Sequence, residues 1–340
     1  MYESGGTPTP APKAIPSGWN LVAWIQMSDF LLNDANPKFY GLIAQNASNL
    51  DSFILAIRGT EGAVEWWDDA HWASTPFDQV PNAGRVAVGF DRIYETMNVV
   101  PCTAAASAGS SSAAPKPLAG TFAEQVAQVI RSNAATRVPG LESLNLTMPF
   151  LVVCGHSLGA ALCTLYVVEN AVKKIINNPT VCTFASPRVG NEAFVQAYNN
   201  LGLTSWRIVN APDIVPNLPP DIFGYQHVNA QSLFNSTGTV KSTIRCAHVL
   251  ETYLSLLDPS AKPGPDCLPQ VGDQAMSIRA LASVPNGNST LGPEAADGAQ
   301  SVEVPTSGGI TVNVNIYTDG AGSARRVTAY HSSNVANNSF

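Results

Sequence analysis

Between Pro149 and Ala161 the chain reads PFLVVCGHSLGAA, so Ser157 stands in the pattern Gly155-His156-Ser157-Leu158-Gly159. A bare G-x-S-x-G is common, but the flanks make this one specific. Four apolar residues, Phe150–Val153, enter it like a buried strand, and an apolar, helix-forming run leaves it. A strand, a sharp turn and a helix form the setting in which a serine hydroxyl is presented as a nucleophile. The turn holds the serine in a strained backbone conformation. Gly155 and Gly159 remove the Cβ atoms that would keep strand and helix apart. The hydroxyl then lies at a helix N-terminus, whose partial positive charge favours a developing anion. The bland alternative is an ordinary strand-to-helix turn with a capping serine.

A serine hydroxyl needs a base, and the base needs an orienting carboxylate. Three histidines follow Ser157: His227, His248 and His331. His156, next to the nucleophile, should point into the scaffold. His331 lies in a polar tail. His248, in CAHVLETYL, opens a segment that reads as a helix and is the favoured base, with His227 in FGYQHVN as the fallback. For the acid, Asp213 directly follows an apolar strand in NAPDIVP, at the strand end where an open α/β sheet collects its site. Prolines 212, 216, 219 and 220 stiffen that loop, and Asp221 is the alternative carboxylate. Acyl transfer also requires donors for a tetrahedral oxyanion. The backbone N–H of Leu158 is one. The second is expected at Thr60, where the apolar run Phe53–Ile57 ends in Arg58-Gly59-Thr60.

The elements that must position these groups alternate. The runs Phe39–Ala44 and Ser52–Ile57 read as a hairpin, Arg85–Val88 as a strand and Asp91–Asn98 as a helix. Helix Phe122–Asn133, strand Phe150–Cys154, helix Leu158–Lys174, strand Val181–Ala185, helix Glu192–Asn200 and strand Ser205–Val209 follow. Strands alternating with helices predict an α/β fold on a largely parallel sheet. Near the N-terminus, Leu21, Trp24, Ile25, Leu31 and Leu32 sit close to helical spacing, so Trp19–Asn33 is expected to be a helix. Residues 1–17 form a Pro/Gly/Thr-rich lead, and 101–119 an Ala/Ser/Pro insertion of surface-loop type. From 269 to 340 the texture becomes Gly/Ser/Asn-rich with β-branched runs, a small β-rich extension.

Composition narrows the partners. Charged residues are 13% of 340, about half the usual ~25%, and the net charge is −7 without a basic block. No nucleic-acid partner is expected. No run approaches the ~18 apolar residues of a transmembrane segment, so the chain reads as soluble. MYESGGTPTPAPK carries no apolar leader stretch, which leaves secretion and the cytoplasm both open. Five N-x-S/T sequons, at Asn46, Asn145, Asn235, Asn288 and Asn337, matter only on a glycosylating route. Among the six cysteines, Cys154, Cys163 and Cys182 sit in apolar segments as small hydrophobes, Cys102 has no evident partner, and Cys246 with Cys267 is the candidate disulfide. There is no CxxC, no HExxH and no His pair at ligand spacing; neither a metal nor a cofactor is expected. Oligomeric state is not legible.

Several of these motifs occur together and in order: the strand ending in RGT, RVAVGF, GHSLGA, TFASPRVGN, NAPDIVPNLPP, FGYQH and CAHVLETY. Over about Trp19–Asp258 the chain resembles the class 3 (fungal-type) lipases of the α/β-hydrolase fold. The resemblance implies a mostly parallel sheet flanked by helices over 18–268, a Ser157–Asp213–His248 triad, an oxyanion hole at Thr60 and Leu158, and a lipid or ester substrate met at a lipid–water interface. Ala185 stands where the family usually has Gly, and Val88 where a His is common. The resemblance also implies a short lid helix after the oxyanion loop. There, Ala63, Trp66, Trp67 and Ala70 share one face of an amphipathic pattern, with Glu65, Asp68 and Asp69 opposite. Trp66 and Trp67 are read as the lipid-facing pair of that lid, or else as core packing. The expected function is a serine lipase acting on acylglycerols. A lid-less esterase for soluble or aryl (feruloyl-type) esters and a catalytically inactive interaction module are the alternatives.

Overall fold

The computed structural model describes residues 15–29, 34–60, 73–102, 118–134, 149–176 and 178–269, and the backbone of three strands between 299 and 332. The expected lid at 62–71, with Trp66 and Trp67, and residues 103–117 of the insertion lie outside the described residues. The chain forms two compact units: Met1–Ile208 with Asp213–Asn229, and Val209–Pro212 with Ala230–Phe340.

The first unit holds seven paired strands: β1 (Trp19–Asp29), β2 (Asp34–Asn46), β3 (Ser52–Ile57), β6 (Asn98–Pro101), β7 (Phe150–His156), β8 (Thr180–Phe184) and β10 (Ser205–Asn210, whose last two residues belong to the second unit). Their order across the sheet is β10-β8-β7-β3-β2-β1-β6. Neighbours β3, β7, β8 and β10 pair in parallel. Antiparallel pairings then add β2, β1 and β6. β1 therefore runs with β3, and five of these seven strands share one direction. The sheet is thus the mostly parallel one of an α/β-hydrolase fold.

The expected helix over Trp19–Asn33 is instead strand β1, described as far as Asp29. Ala23, Ile25 and Met27 are fully buried at a period of two. Because both faces of this segment carry apolar residues, helical and strand spacing fit the sequence equally. Pairing with β2 on one side and β6 on the other decides in favour of the strand.

Helices α1 (Val88–Glu95), α2 (Phe122–Asn133) and α3 (Leu158–Val172) pack into the main core with the buried side chains of β3 and β7. α1 begins and ends three residues before the expected Asp91–Asn98. α2 opens with a capping box, Thr121 and Glu124 each satisfying the other's backbone. α3 is apolar almost all round, as a helix buried on every side must be. Its one fully buried carboxylate, Glu169, accepts hydrogen bonds from Tyr94 (2.5 Å) and Lys173 (2.7 Å). The short strands β4 (Ser74–Pro76), β5 (Arg85–Ala87), β9 (Gly190–Asn191) and β11 (Tyr225–Gln226) form a second small sheet. Asn191 caps α4 (Glu192–Asn199), its side chain accepting from Phe194 N–H.

The second unit contains β12 (Gln231–Phe234), α5 (Ile244–His248) and α6 (Leu250–Leu257), with the Cys246–Cys267 disulfide joining α5 to a later turn. The backbone of 299–332 forms an antiparallel sheet, β13 (Ala299–Pro305), β14 (Thr311–Thr318) and β15 (Ala324–Ser332). Among the described residues, no helix is long and apolar enough to cross a membrane.

Candidate active site

Ser157 sits between β7 and α3 with φ +57° and ψ −123°. This is a conformation that a side-chain-bearing residue adopts only under constraint, at roughly 1–3 kcal/mol. The constraints are visible. Ser157 N–H donates to the Phe184 carbonyl at 2.9 Å, tying the turn to β8, and its own carbonyl accepts from Ala160 N–H at 2.9 Å, starting the helix. Gly155 and Gly159 are required by space. A Cβ on Gly155 would meet the Gly159 carbonyl oxygen at 2.4 Å, and one on Gly159 would meet the Ile57 and Arg58 carbonyl oxygens at 2.2 and 2.5 Å. The elbow therefore lies against the end of β3 with no room for a methyl group.

That contact brings the RGT segment to the serine. A Cβ on Gly59 would stand 3.0 Å from Ser157 Cβ and 3.1 Å from His156 Nδ1. His156 thus packs against the strand end as scaffold, in the role expected of it. Arg58 holds the loop: its N–H donates to the Tyr40 carbonyl (2.8 Å), its Nε to the Phe39 carbonyl (3.2 Å) and its Nη1 to the Gly59 carbonyl (3.1 Å). Its guanidinium also lies over the Tyr40 ring, 4.0 Å from the centroid. Thr60 is buried, and among the described residues its hydroxyl has no hydrogen-bond partner. A buried, unsatisfied donor costs about 1–3 kcal/mol, and one beside the elbow can donate to a ligand oxygen. Leu158, buried at the first position of α3, carries one of the N–H groups for which a helix start has no internal acceptor.

Asp213 is buried directly after the end of β10, and its Oδ1 accepts from Val215 N–H at 3.0 Å. The proline-rich loop that follows is clamped. Arg188 N–H donates to the Leu218 carbonyl (2.7 Å), and Arg188 Nη1 donates to the Pro219 carbonyl (2.8 Å) and to the Asn217 carbonyl. His227 Nε2 donates to the Pro216 carbonyl at 2.7 Å. Burial, with Arg207 and Arg188 adding repulsion, lowers the His227 pKa to about 3. A ring kept neutral and already bonded to a backbone carbonyl braces the acid loop. Asp221, the alternative acid, is exposed at a short 3-10 turn.

His248 belongs to the second unit, where it is buried at the C-terminal end of the five-residue helix α5. The helix expected to open at His248 begins instead at Leu250, after Val249, whose backbone is extended, while His248 closes α5. Asn210, which the sequence reading passed over, holds α5 in place. It is fully buried. Its Nδ2 donates to the Ala247 carbonyl and to Ser236 Oγ, both at 2.8 Å, and its Oδ1 accepts from Ser236 N–H at 2.9 Å. The available signal was an amide residue at the end of an apolar strand, where a buried polar group must find partners.

The thiols follow expectation. Cys246 and Cys267 are bonded, while Cys102, Cys154, Cys163 and Cys182 are free. Burial raises the pKa of Cys154 to about 11 and of Cys182 to about 12. These are inert packing groups rather than nucleophiles. Among the described residues, no group of three or more His, Cys, Asp or Glu side chains is arranged to hold a metal ion.

Residues 54–223, half of the chain, match the class 3 lipase family, Lipase (class 3), and the protein belongs to it. The chain is 30% identical over 235 residues to a phospholipase A1-II 3 of Oryza sativa subsp. indica, covering 62% of this chain and 50% of that protein. It is 34% identical over 102 residues to a secreted mono- and diacylglycerol lipase 1 of Fusarium solani, covering 30% of each, and 34% identical over 119 residues to a lipase of Rhizomucor miehei, covering 32% and 33%. The chain thus spans about half the length of the rice relatives and about a third of the fungal ones. Among solved structures, a deletion mutant of the Rhizomucor miehei lipase propeptide complex aligns at a TM-score of 0.45 and 20% identity, over 65% of this chain and 57% of that one.

Proposed function

We propose that this chain is a serine lipase that hydrolyses acylglycerol esters through an acyl-enzyme on Ser157. Asp213 is the orienting carboxylate, His248 the base, and Thr60 and Leu158 the oxyanion donors. The observation that carries the reading is the elbow: a serine at φ +57° on a helix start, packed against a strand end after which the Thr60 hydroxyl is buried and, among the described residues, unsatisfied. Family membership supports it. So do the relatives' names, phospholipase A1, lipase and mono- and diacylglycerol lipase, which all denote cleavage of glycerolipid esters.

In this scheme His248 takes the Ser157 proton as Oγ attacks the ester carbonyl. The oxyanion is held by the Thr60 hydroxyl and the Leu158 N–H, and Asp213 stabilises the imidazolium. Collapse expels the alkoxide, which takes the proton from His248. Water then repeats the sequence, freeing the fatty acid and restoring the serine. Protein groups and water balance every step. Trp66 and Trp67, which lie outside the described residues, are proposed from the family resemblance alone as the pair that meets the lipid surface.

Initial rates on tributyrin and on a dissolved p-nitrophenyl ester test the reading. Ser157→Ala should lose roughly 10⁴-fold or more while staying folded. Stoichiometric labelling by an organophosphonate at another serine overturns it.

A further inference from the structure

The loop that begins at Asp213 ends in an apolar tip for which the catalytic scheme has no use. Ile222 is 83% exposed and Phe223 53%. No other large apolar side chain among the described residues exceeds 54%. Single exposed apolar residues are ordinary; an adjacent pair on a braced loop is not. On the near side Val215, Pro216 and Pro219 are buried, and Arg188 and His227 hold the carbonyls of Pro216, Asn217 and Pro219. On the far side Tyr225 is buried, with its hydroxyl donating to the Ala73 carbonyl at 3.1 Å. The tip itself is a closed turn, Phe223 N–H to the Pro220 carbonyl and Gly224 N–H to the Asp221 carbonyl, with Gly224 at φ +81° reversing the chain. The scaffold thus pins both ends and holds two apolar side chains out in water.

We propose that Ile222 and Phe223 form a fixed prong that docks the enzyme on an uncharged or zwitterionic lipid surface, independently of any lid. The inference rests on the lipase reading, because an insoluble ester must be met at an aggregate surface. The occupant follows from charge as well as apolarity. Residues 213–224 contain no Lys or Arg, Asp221 is the exposed charge at the tip, and the chain carries a net charge of −7. Adsorption to anionic lipid depends on Lys or Arg near the surface, which this tip lacks. Burial of apolar area must supply the attraction instead. Ile222 is preceded by Asp221 and followed, after Phe223, by Gly224, so the prong can enter only to the depth of two side chains.

The test uses the full chain in a Ser157→Ala background, so that turnover does not consume the surface. Binding is measured by co-sedimentation with phosphatidylcholine vesicles and with vesicles containing phosphatidylglycerol. The parent should bind phosphatidylcholine vesicles at least as well as the anionic ones. Ile222→Ser/Phe223→Ser should bind about 10-fold or more weakly at unchanged Tm. Val172→Ser removes an apolar side chain of similar exposure (51%) at the far end of α3, ~20 Å along the axis from Ser157, and should bind like the parent. Equal binding by the double variant, or a parent that binds only anionic vesicles, overturns the proposal. So does a concentration-dependent dimer that the double substitution dissolves, which makes the tip a contact between copies. Failure of the lipase reading shows separately, as absent hydrolysis of a dissolved p-nitrophenyl ester by the chain with Ser157 intact.

Discussion

Replacing Gly159 by Ala probes the junction on which the site rests. The new Cβ would lie 2.2 Å from the Ile57 carbonyl oxygen, 2.5 Å from that of Arg58 and 2.7 Å from the Ile57 carbonyl carbon. All three are backbone atoms at the end of β3, so no side chain can rotate away. Ordinary contact requires the start of α3 and the RGT segment to part by about 1 Å, a displacement that costs about 10²-fold when it misplaces a reacting group. Ile57 is also paired in register with Gly155, which itself has no space to spare, so the strain spreads through the elbow. Overpacking of this kind costs about 1–3 kcal/mol, and the fall in Tm follows at ~2–4 °C per kcal/mol for a unit of this size. The expected outcome is kcat/KM on dissolved p-nitrophenyl butyrate down by about 10²-fold, with Tm lower by roughly 3–10 °C. Gly264→Ala is the control: a Cβ there meets nothing within 4 Å, and both quantities should stay near the parent's. If Gly159→Ala loses stability yet its folded fraction keeps parental kcat/KM, Thr60 is not an oxyanion donor. If neither changes, the junction is looser than the geometry states.

Three further outcomes follow from particular residues. His248→Ala should match the loss seen for Ser157→Ala, whereas His227→Ala should chiefly lower Tm; the reverse order in steady-state kinetics would make His227 the base. Asp91, buried on α1 with Glu95 and Asp78 repelling its charge, has its pKa raised to about 7 from 3.8. The folded state then holds a proton that the unfolded chain has released, so this group's contribution to stability declines as pH rises from about 4 to about 7. Three pKa units set an upper limit of about 4 kcal/mol, and solvent screening brings it to ~1–2 kcal/mol. Asp91→Asn should therefore match the parent's urea midpoint at pH 4 and exceed it at pH 8; equal midpoints at both would count against a perturbed Asp91. Ala185, fully buried at φ +50°, carries a left-handed backbone that a Cβ disfavours. Ala185→Gly should raise stability by about 0.5–1 kcal/mol in urea unfolding, and a loss would show that the methyl group's packing outweighs the strain.

The nucleophile elbow was legible because its requirements are local. A strand, a turn that excludes side chains on both flanks and a helix occupy thirteen consecutive residues, Pro149–Ala161, and each choice there agrees with the next. The same locality made α2 readable to the residue, since its capping box and apolar period lie within its own length. The disulfide was a candidate from flanking alone. β1 was misread because local periodicity does not distinguish a helix from a strand whose two faces are both apolar; the hydrogen bonds of β2 and β6 made that choice. Asn210 and Arg188 could not be singled out for a related reason. An amide and a guanidinium are everyday surface residues until the fold buries one against the Ala247 carbonyl and aims the other at the carbonyls of the acid loop. The prong at Ile222 and Phe223 is the converse case. Two apolar residues in sequence suggest burial, and only the bracing of the chain on either side holds them in solvent. Sequence by itself determined which groups are available for chemistry and the order in which they come. Tertiary structure decided which polar groups brace them, because satisfying a buried donor or acceptor is a property of neighbours distant in the chain.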